Sequence, residues 1–113
     1  MMLDADEQVW LKEFTKALKE QYAEVVEDLV VFDANDSPLQ LPEDTINVMV
    51  RVKDNDKRRQ LEKDIGRLGH RLAVLSDAMP FIVVYTHSEW KMREISGSLP
   101  FRNGGQSQWS IHQ

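Results

Sequence analysis

No cysteine occurs in the 113 residues of the chain. That excludes a disulfide framework, a thiolate metal centre and a cysteine nucleophile, and it agrees with a reducing compartment. Basic charge is also short: 14 Lys and Arg stand against 19 Asp and Glu, for a net charge of −5. Affinity for nucleic acid rests largely on neutralising phosphates with Lys and Arg, so an acidic domain without an evident basic face is not expected to bind it. The one basic cluster, Lys57-Arg58-Arg59, is followed by Glu62 and Asp64 and reads as a solvated first turn of a helix. No apolar run is long enough to span a bilayer. The opening residues, Met1 to Glu7, are acidic and lack the basic-then-apolar build of a signal peptide. A cytoplasmic protein that does not engage a membrane is expected.

What the chain does contain is periodic. Asp4 and Asp6 are candidate N-caps, and Glu7 suits a first turn through the helix dipole. Trp10, Phe14, Ala17, Leu18, Tyr22 and Val25 form an apolar stripe, with Lys12, Lys16, Lys19 and Glu20 opposite. The pattern predicts an amphipathic helix from about residue 7 to about residue 23. Leu29-Val30-Val31-Phe32 is a short unbroken apolar run, as expected of a strand covered on both faces. Asn35, Asp36, Ser37, Pro38 and Pro42 make the next segment a loop. Thr45 to Lys53 then alternates Ile46, Val48, Val50 and Val52 against Thr45, Asn47, Met49 and Arg51, a second strand with one apolar and one mixed face.

Asp54, Asn55 and Asp56 are candidate caps for a second helix, whose stripe is Leu61, Ile65, Leu68, Leu72 and Leu75. Gly66 and Gly69 interrupt it at a cost of about 1 kcal/mol each relative to Ala, which suggests a close approach to the sheet. Phe81 to Tyr85 predicts a third strand. Thr86 and Glu89 form a capping box for a short helix through Trp90, Met92 and Ile95 to Ser96-Gly97. Ser98 to Gln113 is a polar tail anchored only by Leu99, Phe101, Trp109 and Ile111. With no internal repeat, residues 1–113 are expected to form one domain, a small α/β (α+β) sandwich of order α-β-β-α-β-α with a mixed sheet.

The order and its details resemble the minimal nucleotidyltransferases of the DNA polymerase β superfamily, and the resemblance covers most of the chain. In that family the first strand ends in Gly-Ser, and a second strand begins with Asp-x-Asp about ten residues on. Here Leu29-Val30-Val31-Phe32 leads to Asp33-Ala34, and ten residues, Asn35 to Asp44, separate Ala34 from Thr45. Ile46 to Val50 has the texture of the acidic strand. Val83 to Trp90 resembles the third strand and its helix, and Leu99 to Asn103 resembles a stretch near the family's end. The family's Gly-Ser turn and following helix hold a triphosphate, and its acids hold two Mg2+ ions.

The departures bear on chemistry. Asp33 and Ala34 stand in the Gly-Ser places, where an aspartate repels phosphate. Thr45 and Asn47 stand in the Asp-x-Asp places, and neither supplies the anionic oxygen that Mg2+ requires. The third strand carries no acid. The resemblance therefore implies a degenerate, inactive member for which Mg2+ and nucleoside triphosphate binding are not expected. A shifted metal site from Asp33, Asp36, Glu43 and Asp44 is the alternative, and turn residues are the preferred reading of those acids. His70, His87 and His112 have no ligand-like spacing, and no serine has a nucleophile setting.

Trp10 and Trp90 fall on helix stripes and are expected in the core. Trp109, with Phe101 and Arg102, is a candidate for a protein interface. Active members of the family are often paired with a helical partner from the same operon, including toxin–antitoxin pairs. The resemblance thus implies a protein-binding module with a helical or toxin-like partner encoded nearby, an antitoxin-like role, or self-pairing. An active or nucleotide-binding enzyme with relocated acids is a second expectation. A third is an unrelated α/β subunit of a larger assembly, for which the strand order would differ from 1-2-3.

Overall fold

The computed structural model describes residues 3–109. Asp4 caps helix α1 (Ala5–Gln21): its carboxylate accepts the Glu7 amide at 2.8 Å, and the Glu7 carboxylate accepts the Asp4 amide at 3.1 Å. The helix therefore starts and ends two residues earlier than its stripe predicts. Strand β1 (Val26–Phe32) runs antiparallel to β2 (Ile46–Val52), which is joined by helix α2 (Arg58–Ser76) to a parallel β3 (Pro80–Thr86). Helix α3 (His87–Ser96) starts at the expected box, with Thr86 as cap. One further strand, β4 (Gln106–Ser107), pairs antiparallel with Val30 and Val31 of β1 and was not expected in the tail. The sheet order is β3-β2-β1-β4, so the molecule is a small α+β sandwich on a mixed sheet. Among the described residues no helix is long and apolar enough to cross a membrane.

Strand alternation sends Leu29, Val31, Ile46, Val48, Val50, Val52 and Val84 to one face, where they meet Trp10, Phe14 and Leu18 of α1 and Ile65 and Leu68 of α2. Gly69 explains how closely these layers sit. A Cβ there would collide with the Ile82 δ-methyl and lie 3.3 Å from the Phe14 ring. The Gly69 carbonyl also accepts the buried Trp10 indole N–H at 2.8 Å. Gly66, by contrast, faces open space. The α2 stripe holds through Leu72 and fails at Leu75, which is 83% exposed in the last turn, where no described residue covers it. The caps proposed for α2 also act differently. Lys57 occupies the N-cap without a side-chain bond, Asn55 Oδ1 accepts the Lys57 amide, and Asp54 accepts the amide and hydroxyl of Ser88 at the start of α3.

The opposite face carries Val30, Phe32, Met49 and Tyr85, packed by Phe81, Val83, Trp90, Leu99 and Phe101. Its cover is α3 together with the segment after it. Arg51 rises from this face between Glu27, at 3.1 Å, and the Trp90 ring, at 4.5 Å.

The two ends of the sheet differ. At β3, Thr86 N–H is taken by Glu89 and the Val84 carbonyl by Arg58 at 3.0 Å. Pro80 has no N–H to offer, as suits an edge strand. At β4 the outer edge of a two-residue strand has no neighbour among the described residues.

Candidate functional site

The β1–β2 loop is short of regular structure and closes on itself. Asp33 Oδ1 accepts the Asn35 amide at 2.9 Å and so caps a single turn of 3-10 helix, Ala34–Asp36. This one turn occupies the place where the family resemblance implies a phosphate-holding helix. Three residues provide no aligned array of free amides for an anion.

Asp33, Ala34, Thr45 and Asn47 do come together. They line one cleft of about 310 Å³ with Leu3, Glu7, Phe32, Asn35, Glu43 and Ile46. The loop thus brings both halves of the expected site to a common space. Their polar groups are turned onto one another. Thr45 Oγ1 lies 2.8 Å from the Pro42 carbonyl and 2.9 Å from Asn47 Oδ1, one hydroxyl hydrogen serving both. The Asn47 amide donates to the Thr45 carbonyl at 3.4 Å.

Asn47 was expected to present a polar surface from β2. It is instead 2% exposed, between Phe32 and Phe81 on the neighbouring strands. The strands on either side enclose it, and its side chain is folded onto Thr45.

Charge in the cleft has one sign. Glu7, Asp33 and Glu43 line it, and among the described residues no Lys, Arg or His does. Glu7 arrives from the first turn of α1, a contribution that no local pattern announces, because only the topology brings α1 to this loop. A triphosphate would meet three carboxylates and no cation, and such a setting opposes polyphosphate binding. The neutral oxygens of Thr45 and Asn47 do not fit a site for Mg2+.

The four loop acids do not converge. Asp33 and Glu43 share the cleft, whereas Asp36 turns away to accept the amides of Asn103 and Gly104. The Gly104 amide, followed by the other backbone donors from 102 and 103, holds the Asp36 carboxyl below its ordinary pKa. Among the described residues no group of three or more His, Cys, Asp or Glu side chains is placed to hold a metal ion. His70 is exposed on α2. His87 Nδ1 pairs with Glu27 Oε1 at 3.0 Å. His112 lies outside the described residues.

No family model, no curated protein and no solved structure matches the chain.

The three residues considered for an interface are not one patch. The Phe101 ring lies 5.4 Å from that of Phe32 in the cluster under α3. Trp109 packs on the other side of the sheet, against the main core, with Lys19 Nζ 5.4 Å above its ring. Arg102 is exposed, its amide bound to the Asp36 carbonyl at 2.8 Å.

Proposed function

We propose that the protein is a nucleotidyltransferase-like scaffold that carries out no phosphoryl transfer and serves as a protein-binding module. The observation that carries this reading is the cleft of the β1–β2 loop, lined among the described residues by three carboxylates and no cation. The groups in the four key places are engaged within the loop, as Thr45 with Asn47 and Asp33 with Asn35. Phosphoryl transfer depends on positioned cations and amides around the transferred group, and this cleft offers neither.

The pairing order also supports the reading. Strand β1 lies beside β2 antiparallel, and β2 beside β3 parallel, the order that the resemblance implies and that an unrelated ferredoxin-like subunit would not require. Relocated acids find no support, since Asp36 is committed to the segment at 103–104.

Thermal unfolding with ribonucleoside triphosphates, with and without Mg2+, tests the proposal. A specific ligand at one hundred times its Kd stabilises by about 2.7 kcal/mol, a shift of several degrees for a domain of this size. No shift is expected. A rise that requires Mg2+ and disappears in Asp33→Ala would establish the enzyme reading instead.

A further inference from the structure

We propose that the groove between α1 and β4 receives an extended, acidic segment of a partner protein, which adds as a strand beside β4. This rests on the reading of the chain as a protein-binding module and names the surface it would use. The groove is about 960 Å³, three times the volume of the β1–β2 cleft. Its floor includes Val31, Gln106 and Gln108, and Leu3 and Leu11 supply apolar surface.

The wall is a face of α1. Trp10, Phe14 and Leu18 are buried in the core, and the helical period then places Lys12, Thr15, Lys16 and Lys19 along the side that overhangs β4. None of the three lysines joins a salt bridge among the described residues. Glu20 is the one acid in the lining. On a chain of net charge −5 this is a segregated basic strip. It complements carboxylates presented at close range, while the field of the whole molecule repels a polyanion such as nucleic acid.

The floor's edge supplies the backbone partner. Gln108 N–H donates to the Leu29 carbonyl at 2.7 Å and so faces β1. Alternation then turns the N–H and C=O of Ser107 outward. Edge groups of this kind, which have no partner among the described residues, template another strand. The β3 edge is partly occupied, since Pro80 lacks an N–H, Arg58 takes the Val84 carbonyl and Glu89 takes the Thr86 amide. In an added strand, alternate side chains point to the α1 side. There they meet the ammonium groups, which select Asp or Glu, and Leu3 and Leu11, which select an apolar neighbour.

Fluorescence anisotropy on the full chain tests this, with a short labelled peptide of alternating Glu and Val as the probe. Its counterparts are a Lys-and-Val peptide, the acidic peptide N-methylated on the backbone, and a single-stranded oligodeoxynucleotide. The acidic peptide is expected to bind and the others are not. Lys12→Glu/Lys16→Glu/Lys19→Glu is expected to weaken binding roughly tenfold or more, and the matching triple Gln variant covers the case in which charge reversal disturbs folding. Equal binding by the lysine variants, indifference to N-methylation, preference for the oligonucleotide, or self-association through β4 in place of peptide binding would each overturn the proposal. If no peptide binds and triphosphate with Mg2+ still gives no thermal shift, the groove is refuted and the inert scaffold stands. A Mg2+-dependent triphosphate shift with peptide binding intact refutes the scaffold reading alone.

Discussion

The two faces of the sheet are held by different physics. On the face under α1 and α2 the contacts are almost wholly apolar, and they join long elements through side chains at helical and strand period. On the face under α3 a smaller apolar cluster is roofed by polar and cationic contacts between segments far apart in sequence. Arg51 stacks on Trp90, Arg93 lies 4.6 Å from the Tyr85 ring, and Arg58 joins Val84 to Glu89. Asp36 and Asp54 fasten the following chain and the start of α3 to the strand loops. Apolar burial is insensitive to pH, whereas a roof fastened by carboxylates is not. One face therefore secures the fold, and the other decides how firmly its cover is closed.

The largest effect that would break this contrast is Trp10→Ala. The ring is fully buried, stacks at 4.7 Å on Phe14 and gives its N–H to Gly69. Denaturant unfolding is expected to show a loss of about 3–5 kcal/mol. A loss below 1 kcal/mol, on the scale of an ordinary surface change, would mean that the α1–α2 face is not the dominant one.

A smaller effect is expected from Asn47→Asp, which tests the second face at its most buried polar group. A carboxylate among Phe32, Phe81 and Thr45 lacks a cation, so stability at neutral pH should fall by about 1–3 kcal/mol. Burial raises the pKa of such a group, so the loss should be regained as the pH falls through that raised value. Recovery with Mg2+ at neutral pH would show instead that the loop retains a metal site.

The smallest effect is the acid release of the roof. Backbone bonds, Gly104 first, lower the pKa of Asp36, and the Ser88 hydroxyl and amide lower that of Asp54. Burial pushes Glu89 upward, but its bonds to Thr86 and Arg58 outweigh that and leave it lowered. A lowered folded-state pKa means stabilisation present above the ordinary carboxylate value of about 4 and lost as the pH falls through the folded value. In an acid titration followed by NMR, the Ser88 and Gly104 amides should move while those of Val48 and Val50 hold. Simultaneous collapse of both sets would erase the distinction between the faces.

The same contrast explains what could be read from the sequence. Helices α1 and α2 and the three long strands were legible because each carries an apolar pattern that burial enforces, as in Trp10, Phe14 and Leu18 or in Ile46, Val48, Val50 and Val52, whereas α3, with Met92 and Ile95 exposed, was legible through its Thr86–Glu89 capping box. Strand β4 was not, since Gln106-Ser107 is polar and too short for any period to appear; its placement depends on Gly105, whose missing side chain leaves room beside Phe101 and Val30, at 2.7 and 2.8 Å from where a Cβ would sit. The burial of Asn47 was hidden because part of its enclosure comes from Phe81 on β3, brought beside it only by the sheet topology. Leu75 misled in the opposite direction, for periodicity reports which side of a helix is apolar and not how far its neighbours extend. At the β1–β2 loop the spacing placed Asp33, Ala34, Thr45 and Asn47 around one space, while the one-signed charge of that space needed Glu7 from another element.

The unequal sheet edges carry a consequence for assembly. Pro80, Arg58 and Glu89 occupy part of one end, and at the other Ser107 has no strand partner beyond β1 among the described residues. A sheet obstructed at one end is a poor unit for open-ended growth: a strand added beside β4, whether from a different protein or from a sister chain by two-fold symmetry, leaves only the obstructed β3 end to extend. In this sense the fold accommodates one strand at β4 more easily than a filament grown through both ends of its sheet.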